Sequence, residues 1–185
     1  GKLDKAIQDF NQAIEINPNN AKAYNNLGNA YRQQGNFRQA IQDFNQAIKI
    51  NSNLAEAYYN RGLAYGEQGK LDKAIQGFNQ AIELNPNLAE AYSNRGFAYK
   101  KQGKLDKAIQ DYTQAIELNP DDLAYYNRGV AYDKQGNFRQ AIQDLNQAIE
   151  LNPDYAAAYN NRGLAYGEQG NFRQAIQDLN QAIEL

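Results

Sequence analysis

The residues best suited to chemistry in this chain are five asparagines that recur at a regular interval. They are spaced 34, 34, 33 and 34 residues apart: Asn26, Asn60, Asn94, Asn127 and Asn161. An asparagine amide offers one acceptor and two donors, which suits two-point hydrogen bonding to a peptide unit. Asparagine is also a mediocre helix former, so five copies at one helical position require a reason. A row of such amides would bind an extended main chain whatever its sequence. The alternative is that the copies are alike only because the repeat was duplicated.

Few other groups in the sequence could do chemistry. The chain contains no histidine and no cysteine, which excludes zinc sites built on them, Cys or His nucleophile–base pairs, and disulfides. The carboxylates fall at regular positions on exposed helical faces, where no burial is expected to perturb them. We therefore expect no catalytic residue, no metal site and no cofactor, and the chain is not predicted to be an enzyme.

Charge and hydropathy narrow the range of partners. The chain has 19 basic and 21 acidic residues, a net charge of -2, and no basic stripe, so no nucleic acid is expected. No apolar run approaches the ~18 residues that a membrane span needs, so no membrane contact is expected either. The lack of cysteine is compatible with a reducing compartment, and a cytoplasmic location is expected. The chain opens and closes within a repeat, which indicates an excerpt from a longer array.

Two helical segments in each repeat must position the asparagines. In the unit that starts at Ala55, the first segment runs to Gly69, and a glycine there supplies the left-handed residue that commonly ends a helix. The second segment, 71–84, has apolar residues at the i, i+3, i+4, i+7 spacing of an amphipathic helix. Asn85-Pro86 ends it, and Asn87 is expected to cap the next helix. We name these segments helix A and helix B; the sequence shows no strand pattern.

The same unit recurs along the whole chain. Its turn glycines are spaced 34, 34, 33 and 34 residues apart: Gly35, Gly69, Gly103, Gly136 and Gly170. This period predicts an all-α solenoid in which each unit contacts only its neighbours. The predicted organisation is one array over residues 1–185. It comprises a helix B half-repeat at 1–20, full repeats at 21–54, 55–88, 89–121 and 122–155, and a last repeat at 156–185 that stops after helix B.

The repeat resembles the tetratricopeptide repeat (TPR) family, with Tyr where the family usually has Trp. In the first full repeat the pattern is carried by Tyr24, Leu27, Gly28, Tyr31, Ala40, Phe44 and Ala47. The resemblance implies a right-handed superhelix of antiparallel helix pairs with helix A on the concave face. Gly28 and its equivalents are expected to let helix A approach helix B closely beside Ala40. The asparagine row is similar to the asparagine ladder in the repeats of O-linked N-acetylglucosamine transferase.

The same resemblance places aromatic and apolar residues beside the asparagines. Such residues would form side-chain pockets next to a main-chain contact. Alternatively, Leu63, Phe97, Val130 and Leu164 simply pack between neighbouring helices. The candidate peptide-binding residues are Asn26, Asn60, Asn94, Asn127, Asn161, Tyr59, Leu63, Phe97, Tyr126, Val130 and Leu164.

A row of arginines takes the place of Leu27 in the later repeats. Repeated arginines could bind anions. The favoured interpretation is structural, with the aliphatic stem packed between helices and the guanidinium paired with an aspartate on helix B. The arginines are Arg61, Arg95, Arg128 and Arg162, and the aspartates are Asp111, Asp144 and Asp178.

These observations predict a protein–protein interaction module that binds an extended peptide segment in its concave groove. The expected partner is a protein or peptide. One alternative is a scaffold that associates with further copies of itself through exposed repeat ends, since solenoids need polar caps to stay apart. Another is an array that recruits substrates for a larger enzyme.

Overall fold

The structure, a computed structural model, describes every residue from 1 to 185. It consists of helices and turns, which confirms the all-α prediction. The helices are α1 (Lys2–Ile16), α2 (Ala21–Gln33), α3 (Phe37–Ile50), α4 (Ala55–Glu67), α5 (Leu71–Leu84), α6 (Ala89–Lys101), α7 (Leu105–Leu118), α8 (Asp122–Lys134), α9 (Phe138–Leu151), α10 (Ala156–Glu168) and α11 (Phe172–Glu184).

The helices fall into two compact units, Gly1–Ala98 and Tyr99–Leu185, and the boundary lies inside α6. In the first unit, each helix from α1 to α4 packs against the next, and α2 also contacts α4. In the second unit, each helix from α7 to α10 packs against the next, and α8 also contacts α10. The even-numbered helices are helix A of their repeats and the odd-numbered helices are helix B. Helix A of one repeat therefore contacts helix A of the next within each unit.

The turn that follows each helix A depends on a glycine in the left-handed region. The φ values are 76°, 72°, 74°, 76° and 78° at Gly35, Gly69, Gly103, Gly136 and Gly170. Other residues adopt this conformation only with strain, so the repeated glycine has a backbone cause, as predicted.

The turn from helix B to the next helix A is held by a different residue from the one that the sequence indicated. Asn87 was expected to cap α6, but α6 begins at Ala89. The backbone N–H of Asn87 instead donates to Oδ1 of Asn85 at 3.3 Å. Asn17 and Asn51 accept in the same way from residues two further on, at 3.1 and 3.0 Å. The side chain that organises this turn is therefore the asparagine at the end of helix B, in an Asx turn.

A large side chain from helix B fills the core of each repeat, opposite a glycine of helix A. Phe44, Tyr112 and Leu145 stand at equivalent positions, and each is 0% exposed. A Cβ atom built on Gly28 would lie 2.7 Å from the Phe44 ring and 3.1 Å from the Ala40 carbonyl oxygen. The predicted close approach of helix A to helix B is confirmed at this position.

Tyr112 carries a hydroxyl that its equivalents Phe44 and Phe78 lack, and this hydroxyl is buried without a hydrogen-bond partner. Burial raises the pKa of Tyr112 because the charged form is poorly solvated there. We expect Tyr112→Phe to raise the free energy of unfolding by about 1–2 kcal/mol, since it removes an unsatisfied polar group and leaves the packing intact. Urea denaturation measures this change, with the partly buried Tyr65→Phe as the control. A less stable Tyr112→Phe protein would contradict the prediction.

Candidate functional site

Two asparagines of the repeated row have the same fixed arrangement, one in each unit. The amide nitrogen Nδ2 of Asn94 donates to the Tyr59 hydroxyl at 3.1 Å and to the Glu90 carbonyl at 2.8 Å. Nδ2 of Asn161 donates to the Tyr126 hydroxyl at 3.0 Å and to the Ala157 carbonyl at 2.8 Å. Both N–H groups are thereby used, and the carbonyl acceptor fixes which way the amide faces. Each amide therefore has only its Oδ1 acceptor left for a ligand. Two-point bonding to a peptide unit, as expected from the sequence, would also need the N–H donor that is already in use.

The other three asparagines have different surroundings. Asn60 is 5% exposed, and its Nδ2 donates at 3.0 Å to Oδ1 of Asn25, which is 1% exposed. Asn127 donates Nδ2 to the Leu123 carbonyl at 2.9 Å, while its Oδ1 accepts from Nζ of Lys100 at 2.6 Å. Asn26 is exposed. The row is regular in sequence, but its members make different contacts.

The buried pair of Asn25 and Asn60 was missed by the sequence reasoning. Asn25 occupies the position of Tyr59 and Tyr126, whose hydroxyls accept from the asparagine of the next repeat. The signal was present in the sequence: in the first unit, Asn25 is the one amide residue that stands directly before an asparagine of the repeated row. Asn25 provides the Asn60 amide with an acceptor that lacks the bulk of a tyrosine ring. Both side chains are buried between α2 and α4.

Leu63 and Phe97, two of the predicted site residues, line one pocket in the first unit. The pocket has a volume of about 270 Å³ and is bordered by α4, α5 and α6. Its other apolar lining includes Leu71 and Phe78, and Asn94 lies at its edge. Leu63 is partly buried and Phe97 is 44% exposed. The structure therefore brings three predicted site residues to one apolar cavity.

A second pocket in the first unit, of about 290 Å³, has two carboxylates in a lining whose surface is mostly apolar, and we name it the acidic pocket. Tyr59, Asn60, Glu56 and Glu90 line it. Burial raises the pKa of the Tyr59 hydroxyl, and the nearby carboxylate of Glu90 raises it further. The Asn94–Tyr59 hydrogen bond joins a lining residue of the apolar pocket to one of the acidic pocket.

In the second unit, the predicted site residues are less closely grouped. Val130 and Tyr126 are partly buried, and Leu164 is 53% exposed. Lys100 is a residue that the sequence did not single out. Its ammonium lies 5.8 Å from the Tyr112 ring centroid, and burial, with repulsion from Lys134 and Lys101, lowers its pKa to about 8.

Two arginines of the repeated row, Arg128 and Arg162, form ion pairs with helix B aspartates within the protein. Arg128 makes two hydrogen bonds to Asp144, both 2.8 Å, and Arg162 makes two to Asp178, both 2.6 Å. The carboxylates raise the pKa of both guanidinium groups. These contacts confirm the predicted pairing at Asp144 and Asp178. Arg61 instead donates to Asn45 at 2.7 Å, and its Nε is buried without a partner.

Two further observations concern sites of other kinds. No three potential ligands from His, Cys, Asp and Glu side chains come together closely enough to hold a metal ion. None of the helices combines the length and apolar character that crossing a membrane requires.

Comparisons with known proteins agree with the two-helix repeat and its period. The family description "TPR repeat" matches residues 1–35, 28–69 and 65–103, and "Tetratricopeptide repeat" matches 89–122, 123–155 and 156–185. A comparison with curated protein sequences gives no match.

Solved structures supply the remaining comparison. The MamA protein is 30% identical, with a TM-score of 0.83 over 89% of this chain and 90% of that one. YrrB, described as a TPR protein with an unusual peptide-binding site, is 26% identical, with a TM-score of 0.82 over 95% of this chain and 91% of that one. The family matches together extend over the chain from residue 1 to residue 185. This chain therefore belongs to the tetratricopeptide repeat family.

Proposed function

We propose that this chain binds an extended peptide segment, and that the asparagine amides accept hydrogen bonds from the main-chain N–H groups of the peptide. The chain is a protein-interaction module, as its repeats and its structural relatives indicate. The proposal concerns the kind of partner and the residues that bind it.

The observation that carries the proposal is the held amide that Asn94 and Asn161 share. In both, a tyrosine of the preceding repeat and a carbonyl four residues earlier hold Nδ2, so that Oδ1 is the group left for a ligand. An acceptor that is already oriented loses little conformational entropy when a donor binds it, which favours affinity. Because the same acceptor recurs in two repeats, it can serve a main chain regardless of the side chains.

Two other observations support the proposal. Apolar side chains lie beside these amides, with Phe97 44% and Leu164 53% exposed, and they provide surface for the side chains of a bound segment. YrrB, which has the same fold over most of its length, is described as having a peptide-binding site.

The experiment is a peptide-display selection against the parent protein and a double variant, Asn94→Ala with Asn161→Ala. A selected peptide that contacts either amide should lose one hydrogen bond, roughly 0.5–1.5 kcal/mol, and bind the double variant about two- to twelvefold more weakly. The matched control is Asn11→Ala with Asn180→Ala, which removes two exposed helix B asparagines. Thermal melts show whether all three proteins are folded.

Selected peptides that bind the parent and the folded double variant equally would contradict the proposal. Failure to select any peptide would also contradict it. In that case the alternative proposals, association between copies and recruitment of substrates for an attached enzyme, would be tested by sedimentation over a range of protein concentrations and by the full-length sequence.

A further inference from the structure

The apolar pocket in the first unit exists where helix A carries a glycine in place of a long side chain. The equivalent position is Arg32 in α2, Lys100 in α6 and Asp133 in α8, but Gly66 in α4. Gly66 lines the pocket of about 270 Å³ together with Leu63, Leu71, Phe78 and Phe97. The missing side chain thus leaves an apolar cavity bordered by Asn94, one of the two asparagines with a held amide.

The acidic pocket next to it differs in carrying two carboxylates, in a lining that also includes Ala55 and Leu88. Glu56 and Glu90 both line it, both are exposed, and neither forms an ion pair within the protein. Glu67, at the edge of the apolar pocket, differs because Arg32 pairs with it at 2.6 Å. Two unpaired carboxylates that face one cavity favour a cationic group, and the Tyr59 hydroxyl in the same lining offers a further oxygen.

We propose that the first unit selects peptides that carry a bulky apolar side chain close to a lysine or arginine. The apolar side chain enters the pocket at Gly66, the basic side chain lies between Glu56 and Glu90, and the main chain passes over Asn94. This inference rests on the proposed function and adds the side-chain preference of the same site. The charge pattern argues for this occupant, because an acidic segment would be repelled by both unpaired carboxylates.

Gly66 provides a clean variant for the test. A Cβ atom built there meets only Ala74 Cβ, at 3.8 Å, and Arg32 and Lys100 show that the same helical position accepts long side chains. Gly66→Leu is therefore expected to fill the pocket and leave the fold intact. Gly66→Ala is the matched small control. Gly167→Leu places the same residue at the equivalent position of α10, where nothing lies within 4 Å of a built Cβ.

The probes are fluorescein-labelled Gly-Ser host peptides with one leucine or phenylalanine and one arginine, separated by one to four residues. Fluorescence anisotropy measures their binding. We expect one spacing to bind best, Gly66→Leu to weaken it at least tenfold, and Glu56→Gln with Glu90→Gln to weaken it at least fivefold. Gly66→Ala and Gly167→Leu should bind as the parent does. Replacing arginine with glutamate in the best probe should abolish binding.

The outcomes separate this inference from the proposed function. Peptides from the display selection that depend on Asn94 but bind Gly66→Leu as well as they bind the parent would overturn the pocket assignment and leave the main-chain contact standing. Binding that is indifferent to the asparagine and the Gly66 substitutions alike would overturn both. Equal binding of the arginine and glutamate probes would overturn the assignment of the acidic pocket.

Discussion

Replacing Gly77 with alanine is expected to lower the free energy of unfolding by about 1–3 kcal/mol, because the new methyl group would overpack a contact between two backbones. Gly77 lies on α5 and is buried. A Cβ atom built on it would lie 2.9 Å from both the Gly62 Cα and the Tyr58 carbonyl oxygen, and 3.1 Å from the Gly62 nitrogen. All three are backbone atoms of α4, so no side chain can rotate away. Urea denaturation measures the loss.

The control for this prediction is Gly167→Ala on α10. Nothing lies within 4 Å of a Cβ atom built on Gly167. Alanine is the better helix former, so this variant is expected to gain a few tenths of a kcal/mol, and up to about 1 kcal/mol. Two Gly→Ala substitutions in helices should therefore change stability in opposite directions. A Gly77→Ala protein as stable as the parent would show that α4 and α5 separate at little cost.

Most of the fold could be predicted from the sequence because the fold depends on patterns that repeat. The turn glycines, the amphipathic spacing of helix B and the Gly28–Phe44 contact each follow from a residue and its immediate periodic neighbours. The pairing of Arg162 with Asp178 could be predicted in the same way, since both residues recur at a fixed separation. The misassigned cap at Asn87 shows the limit of this approach, because several asparagines near one turn compete for the same backbone groups.

The site was harder to predict because its properties depend on differences between repeats. Asn60 and Asn94 occupy equivalent positions, yet Asn60 is buried on Asn25 while Asn94 is held by a tyrosine hydroxyl. The pocket at Gly66 likewise depends on a long side chain that α4 lacks and that α2 and α6 carry. The repeated asparagine predicts that each amide has the same place on helix A. Its hydrogen-bond partner, however, depends on the residue that the preceding repeat contributes.

A second difference between repeats leaves a buried carboxylate without its arginine. Asp43 is 7% exposed and stands where Asp144 and Asp178 stand, but Leu27 replaces the arginine that would pair with it. Its hydrogen bonds come from Nε2 of Gln39, at 3.4 Å to each carboxylate oxygen. Burial raises the pKa of Asp43 from 3.8 to about 6, only partly offset by Gln39.

The raised pKa makes stability depend on pH. Below pH 3.8 the carboxyl is protonated in both the folded and unfolded states and carries no penalty. As pH rises towards 6, the unfolded state loses the proton first, so the free energy of unfolding falls. At neutral pH the penalty is complete, at about 2–3 kcal/mol. Asp43→Asn should abolish this contribution. Subtracting its pH profile from that of the parent removes other groups, such as Asp133, whose pKa is also raised by burial.

Leu27→Arg is expected to remove the same pH dependence by completing the network that the fifth repeat already has. Arg162 contacts Asp178, Asn146 and the Tyr159 ring, the last with its guanidinium carbon 5.2 Å from the ring centroid. The equivalent partners Asp43, Asn11 and Tyr24 are present around position 27.

An arginine at position 27 would hold the pKa of Asp43 down, so the fall in stability between pH 4 and 6 should disappear, as in Asp43→Asn. Urea denaturation at pH 4, 5, 6 and 7 measures this, and Leu27→Met, which adds no charge, should keep the parent's slope. The parent and Leu27→Met would then share a dependence of stability on pH that Leu27→Arg lacks. A slope that persists in Leu27→Arg would mean that the guanidinium does not reach Asp43. In that case helix A and helix B around Leu27 and Asp43 would pack in a way that does not accommodate an Arg–Asp pair.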